Sequence, residues 1–399
     1  MKATVKMMRQ TGRFFTVIGL LVLTFCFAMF QGGFVSWFIF FTVLPFLLYS
    51  LTLAIIPLRI DNVTRDITPA TRERGDTATI TVRFDNKSLF PFVFLVVREL
   101  DMDERFYHIA GGRSSNLFLV GWKRHFEWTY ELENLQRGEH MFSALEMTVT
   151  DFFGWVVRKK VIAQPDRLLV YPKTVDMPYT SLQMQYDQGA VAAKYAIVKD
   201  TTMVTGVRDY QPGDRFSWIH WKSFAKNGEL RTKEFEDRQS QSLFLYMDCA
   251  TTQHFEEVVE LTASMLKAIV KKHGDVAFLS EAERCVFYPA VRTEAQFENV
   301  MQHLATVTPN TESSMDMLLR NERQLNNSIL LFVTGHITDE LKIFLMNSSK
   351  YARAVVCFVV VSTEQYKAQK GAAPRFMNAK VVYVTKEMFN HAFAEVNKP

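Results

Sequence analysis

The pattern of apolar and polar positions divides the chain into three regimes. From Phe14 to Leu58 runs a stretch of 45 residues without one Asp, Glu, Lys, Arg or His. It is too long for a single span and breaks at Gln31, Gly32 and Gly33. This predicts a transmembrane helical hairpin, with one helix over 14–30, about 25 Å long at 1.5 Å per residue, and a second over 34–57 kinked at Pro45. A backbone crossing lipid satisfies its own hydrogen bonds, so the three-residue connection belongs at the far interface. The other reading of the first segment is a cleaved signal peptide. It meets no small-x-small site followed by polar mature sequence, and a second apolar segment follows at once.

Beyond residue 60 the apolar positions alternate with polar ones. Strands are predicted over 77–84, 92–97, 116–120, 123–131, 140–150 and 155–161, with Gly75-Asp76 and Asp85-Asn86 as turn punctuation. No helical pattern competes before Pro165, so an all-β sandwich over 60–172 is the economical reading. From Ser242 strand and helix alternate. Leu243 to Met247 is a continuous apolar run of the kind a buried parallel strand shows. Phe255 to Val270 then repeats at helical spacing, with Lys271, Lys272 and His273 in the last turn and Gly274 beyond it as a helix stop. Strands at 276–279, 329–333, 354–361 and 380–384 alternate with helices at 294–305 and 338–345. The expectation for 242–399 is a doubly wound α/β domain.

Charge places these regimes relative to a membrane. Lys and Arg total 46 against 42 Asp and Glu, and Lys2, Lys6, Arg9 and Arg13 in the tail 1–13 account for the whole excess. The remainder lacks the global field of a nucleic-acid binder. Arg59, Arg65, Arg72 and Arg74 follow the apolar block, so both of its ends are expected on the cytoplasmic side, with both termini and the soluble domains. Cys26, Cys249, Cys285 and Cys357 show no disulfide or metal spacing, which agrees with that placement.

Between the two soluble regimes, 173–241 holds the densest cluster of special residues. It runs from Gly206 through Arg208, Tyr210, Pro212, Gly213 and Asp214, then Ile219-His220-Trp221-Lys222, then Leu230 to Glu236. A structural role would make Pro212-Gly213 a type II turn capped by Asp214, Trp221 and Phe235 core residues, and Arg208 with Glu234 an ion pair. A functional role would make Arg208, Asp214, Lys222 and Glu234 a polar groove for a partner's segment.

These motifs give the chain a resemblance to the bacterial domain of unknown function 58 family. Its signature reads here as Arg208, Tyr210, Pro212, Gly213 and Asp214; Ile219, Trp221 and Lys222; and Leu230, Glu234 and Phe235. Arg137-Gly138, Thr150-Asp151-Phe152-Phe153-Gly154 and Val170-Tyr171-Pro172 match similar phrases upstream. His220 departs from the usual Asp or Asn, and Lys226 from the usual Arg after Ala225. The resemblance implies a membrane hairpin, a β-sandwich, the signature segment and a von Willebrand factor A-like domain. It also implies a role in assembling or activating a partner, since such proteins are similar to products encoded beside MoxR-type AAA ATPases and transglutaminase-like membrane proteins.

Metal and catalytic chemistry have little to build on. An adhesion-type metal site in that fold needs Asp-x-Ser-x-Ser after the first strand, because a carboxylate and two hydroxyls give a hard divalent ion its oxygen ligands. Here the loop reads Asp248, Cys249, Ala250, Thr251, Thr252, and after the strand ending at Val333 comes Thr334-Gly335-His336 where Thr-Asp-Gly would be usual. The site is degenerate and Asp248 is expected to cap the following turn or helix. No phosphate-binding loop, dinucleotide fingerprint, zinc motif or nucleophile elbow occurs. Asp214 with His220 is the one acid/base pairing to weigh, and Cys249 and Cys357 are expected in the core. The expected function is a non-enzymatic, membrane-anchored assembly or regulatory factor needing no cofactor and engaging a MoxR-type AAA ATPase. The alternatives are an enzyme with its site between Arg208 and Glu236, or a divalent-metal-dependent adhesion module.

Overall fold

The computed structural model describes residues 2–69, 71–88, 90–100, 115–179, 204–211, 216–235, 242–282, 285–310, 315–321, 325–326, 328–369, 376 and 379–396. The chain forms two compact units, Met1–Lys173 with Gln302–Thr306, and Thr174–Met301 with Val307–Pro399.

The first unit opens with two helices, α1 (Lys2–Gln31) and α2 (Phe34–Ile55). The first extends through the basic tail rather than starting near Phe14, because nothing breaks it before Gly32, whose φ of 62° only glycine adopts easily. The second stops at Ile55 instead of Pro57. Ile56 precedes the proline and is driven out of the helical region to φ −69°, ψ 132°. Helix α2 runs through Pro45. At 22 residues, with a rise of about 33 Å, it is long and apolar enough to cross a membrane, whereas the apolar run of α1, Phe15–Gln31, is shorter. Phe25 and Phe40 meet edge to face between the two helices.

Two antiparallel sheets follow. One has the order β1-β2-β5, from β1 (Ile60–Thr68), β2 (Ala78–Asn86) and β5 (His125–Leu132). The other has the order β4-β3-β6-β7, from β3 (Phe92–Leu100), β4 (Ser115–Gly121), β6 (Gly138–Thr150) and β7 (Val157–Val170). Alternate residues of both, such as Ile80, Val82 and Phe84 facing Leu95, Val97 and Met147, enclose one core. Strand β7 runs on beyond the expected end at Val161 and through Pro165 to Val170. The β6–β7 register shifts between Phe142 and Ala144, so Pro165 falls in a bulge where no ladder N–H is required.

Helix α2 is fastened to this sandwich. Ser50 Oγ donates to the buried carboxylate of Asp151 at 2.6 Å, and Tyr49 Oη accepts from Val93 N at 3.1 Å. Arg158 reaches the carbonyls of Leu53, Ala54 and Ile56 at 3.2, 2.6 and 3.1 Å. A cation there satisfies the orphan acceptors and complements the negative end of the helix dipole.

The second unit holds a small ribbon and an α/β body. The ribbon pairs β8 (Val204–Asp209) with β9 (Arg231–Phe235), with the short helix α3 (Trp221–Asn227) between them. The body is a six-stranded mixed sheet of order β12-β11-β10-β13-β14-β15. Its strands are β10 (Leu243–Met247), β11 (Val276–Glu281), β12 (Cys285–Val291), β13 (Ile329–Thr334), β14 (Ala354–Val360) and β15 (Ala379–Val384). All pairings are parallel except β11–β12 at the edge. Strands β10, β11, β13 and β14 are buried along their whole length, as continuous apolar runs require when both faces are covered.

Helices α4 (Phe255–Lys271), α5 (Glu294–Thr306), α6 (Asp316–Arg320), α7 (Asp339–Met346), α8 (Thr363–Gln369) and α9 (Ala392–Val396) connect and follow these strands. The stop of α4 differs from expectation. His273, not Gly274, takes the left-handed conformation at φ 55°, while Gly274 N bonds to Ile269 O at 3.0 Å. Gly274 is needed for closeness, since a Cβ there would lie 2.7 Å from Ile269 Cγ2.

Candidate functional site

The signature segment is built on the β8–β9 ribbon. Tyr210 N donates to Leu230 O at 3.0 Å and His220 N to Arg231 O at 2.8 Å, so the stretch between the strands folds back on its own base. His220 caps α3, its Nδ1 accepting from Ser223 N at 3.2 Å, and Gly228 closes the helix at φ 70°. Histidine can serve where Asp or Asn is usual because its ring nitrogen supplies the same acceptor. That hydrogen bond gives His220 a structural task, while its acid/base pairing with Asp214 lies outside the described residues.

Of the signature residues, Ile219 is buried at 2% exposure and bridges to Thr232. Arg208 donates to the carbonyl of Asp209 at 3.0 Å, Tyr210 is half-buried and Lys222 is exposed. Pro212, Gly213 and Asp214 lie outside the described residues, as do the side chains of Glu234 and Phe235, and with them the proposed turn and the Arg208–Glu234 pair. Trp221 differs from a core residue. It is 60% exposed and meets Phe224 edge to face at 6.2 Å between centroids. Phe216, Phe224 and Leu230 are exposed as well. Arg231 is tied to Asp209 and Glu229, which fixes the base of the segment.

A second cluster sits where the strand order of the α/β sheet reverses, at the carboxyl ends of β10 and β13, the place where open α/β sheets bind ligands. Asp248 is nearly buried there. Its Oδ2 accepts from Thr334 Oγ1 at 2.7 Å and its Oδ1 from Ala250 N at 2.9 Å, so it holds the following turn, while His254 stands at the start of α4. The turn is tied to a second loop, with Asn310 N donating to Cys249 O at 2.7 Å and Thr251 N to Asn310 O at 3.0 Å. Thr252 Oγ1 is buried with no hydrogen-bond partner among the described residues, and a Cβ on Gly335 would collide with it.

Each oxygen of the Asp248 carboxylate accepts one protein hydrogen bond, and Ala250 has no side-chain ligand to offer. Among the described residues, no three His, Cys, Asp or Glu side chains gather as a metal site. Nearby, Tyr246 Oη donates to Glu281 Oε2 at 2.8 Å in the interior, and burial beside Glu281 and Asp248 pushes its phenol well up. Cys249 and Cys357 are buried, and burial pushes the Cys357 thiol far above the ordinary range. Such a thiol is a packing group, not a nucleophile.

Residues 206–368 match the family described as protein of unknown function DUF58. The uncharacterized protein YeaD of Bacillus subtilis (strain 168) is 31% identical over 321 residues, covering 79% of this chain and 81% of that protein. Two solved structures are weakly similar. A putative β-galactosidase from Bacteroides fragilis is 12% identical with a TM-score of 0.17, covering 76% of this chain and 39% of that one. Cwp6 from Clostridium difficile is 8% identical with a TM-score of 0.16, covering 84% and 56%. At those scores neither bears on fold or function. The match to YeaD extends along most of both chains, and the family match contains α3 and most of the ribbon and of the α/β sheet, so this chain belongs to the DUF58 family.

Proposed function

We propose that the protein is a membrane-anchored, non-enzymatic assembly or regulatory factor whose soluble part docks a protein partner through the signature segment. The observation that carries this is the exposure of Phe216, Trp221, Phe224 and Leu230 within one short stretch, at 75, 60, 40 and 44%. Exposed apolar and aromatic side chains cost hydration and are characteristic of interaction surfaces, where a partner's desolvated contact recovers that cost. Lys222 and Lys226 flank them and favour an acidic surface opposite.

The anchor in this reading is a transmembrane hairpin of α1 and α2, with both termini and the soluble domains in the cytoplasm. The apolar length of α2 and the cationic residues outside the apolar block support it. The α/β body is von Willebrand factor A-like. The strand order β12-β11-β10-β13-β14-β15, with only the edge strand β12 antiparallel, supports that assignment. The partner is a MoxR-type AAA ATPase, on the family resemblance, and a transglutaminase-like membrane protein is a further candidate client.

Affinity capture of the tagged full-length chain from gently solubilised native membranes tests this reading. Recovery of an AAA ATPase supports it. Repeated capture of none, with the bait intact, contradicts it.

A further inference from the structure

The end of the sandwich nearest α2 carries aromatic side chains that the anchoring reading leaves unused. The turn between β6 and β7 brings Phe152 and Phe153 against Phe46 of α2, with ring centroids 5.4 and 5.6 Å apart, and Phe153 stacks on Trp155 at 4.6 Å. Phe46 lies nine residues before the end of α2, about 13 Å along its axis. The turn therefore stands beside the apolar body of the helix and not below its end. Even so, Phe152 and Phe153 are 48 and 53% exposed. In water such a pair would be costly to hold open; in lipid it would be solvated.

Part of the backbone of this turn is held by its own residues. Asp151 N donates to Val156 O at 3.3 Å, Gly154 N to Asp151 O at 3.4 Å, and Val156 N to Asp151 Oδ1 at 3.2 Å. The Asp151 carboxylate also accepts from Ser50 and is itself buried. Irregular backbone at membrane depth needs its polar groups satisfied, and these bonds supply three of the turn's N–H groups, those of Asp151, Gly154 and Val156.

A second turn completes the same end. Gly121 pairs with Phe92 and Thr150 with Phe94, so the β4–β5 turn lies alongside the β6–β7 turn. It presents Trp122, 77% exposed, followed by the exposed Lys123 and Arg124. An interfacial aromatic beside cations matches the headgroup zone of a bilayer carrying anionic phospholipid.

We infer that this end of the sandwich is a lipid-binding surface, with Phe152 and Phe153 embedded in the acyl region of the leaflet beside α2 and the Trp122–Arg124 turn at anionic headgroups. The inference rests on the reading of α2 as a membrane span. It makes the sandwich a partly immersed platform instead of a domain on a tether.

The test uses the full-length chain carrying Cys26→Ser and Cys285→Ser, reconstituted in nanodiscs of phosphatidylcholine and phosphatidylglycerol. A fluorophore is placed in turn at Phe153→Cys, Phe46→Cys, Trp122→Cys and Glu133→Cys, the last in the turn at the opposite end of the sandwich. Quenching is read with nitroxide on lipid acyl chains and with aqueous iodide. We expect acyl-chain quenching at position 153 within about twofold of that at position 46 and protection from iodide, with position 133 showing the reverse. Without phosphatidylglycerol, iodide access at position 122 should rise at least about twofold. Quenching at 46 but iodide access at 153 equal to that at 133 overturns the inference while leaving the span intact. Absence of acyl-chain quenching at both 46 and 153 removes the span itself, and the inference with it. Unchanged access at 122 overturns the headgroup assignment.

Discussion

Arg65 on β1 and Glu99 on β3 pair across the two sheets of the sandwich at 2.9 Å, with both side chains wholly excluded from solvent. Tyr130 donates to the same carboxylate at 2.8 Å, Asp166 takes the other arm of Arg65 at 2.8 Å, and the guanidinium lies 4.9 Å from the centre of the Phe142 ring. A buried pair of this kind contributes little net stability when complete, but removing one partner leaves a charge without compensation. Arg65→Met should therefore cost about 3–5 kcal/mol in a denaturant melt. The double variant Arg65→Met/Glu99→Leu should recover much of that loss. A double variant as unstable as the single one would show that the pair is not what fails.

The same pair gives a pH dependence. Burial pushes the Glu99 carboxyl up, while Arg65 and Tyr130 pull it down. Burial already wins, and without Arg65 the upward push is opposed by less. A carboxyl raised in the folded state favours folding at low pH and loses that contribution as pH rises through its folded value. Arg65→Met should accordingly regain stability relative to wild type as the medium is acidified from neutral, and a constant gap between the two melts would contradict this.

His303 on α5 has the opposite sign. Burial holds its imidazole below the ordinary histidine range, so the unfolded chain binds the proton first. Stability is lost as pH falls from about 6.5 towards the folded value. His303→Gln should flatten the acid limb of the wild-type melting curve between neutrality and mild acid.

At the switch point, Gly335 is confined by Thr252, whose Cβ lies 3.1 Å from where a Gly335 Cβ would stand. Gly335→Ala should destabilise by about 1–3 kcal/mol through overpacking. Thr252→Ala should relieve part of this when combined with it. Additive losses in a double-mutant cycle would show that the two positions do not press on each other.

Much of the fold was legible because burial on both faces writes an unmistakable signal, as at Leu243–Met247 and Ala354–Val360. What escaped had local exceptions. Strand β1 carries Asp61 and Asn62 at a bulge, with Asn62 at φ 51°, so no alternation announces it. Strand β12 contains Pro289, which an edge strand tolerates and an inner one does not. The stop of α4 was read on Gly274 because glycine usually takes the left-handed position, yet His273 takes it. At the candidate site the sequence singled out Trp221 without telling core from surface, since its neighbours on α3 lack a second apolar face. Exposure at Phe216 and Phe224 had no sequence signal at all.

Topology is testable through cysteines, and the structure selects which one. Cys249 is buried, so its resistance to a thiol reagent says nothing about sidedness, whereas Cys285 is exposed. Burial and Glu281 push the Cys285 thiol up, so labelling is best done at alkaline pH. Cytoplasmic placement predicts that a membrane-impermeant maleimide modifies Cys285 only after the cells are opened. Labelling in intact cells would contradict the placement.

The central claim is that the exposed face of α3 is where a partner docks. Its most direct measurement is site-specific photocrosslinking in native membranes, with a benzophenone amino acid at Trp221 or Phe224 and, as a control, at the exposed Met346 of α7. Trp221→Ala alone should leave the melt within about 0.5 kcal/mol of wild type, as expected of an exposed side chain. The account predicts a discrete adduct from positions 221 and 224, identified by mass spectrometry as an AAA ATPase, and none from 346. No adduct at 221 or 224, or an equal yield at 346, would contradict it.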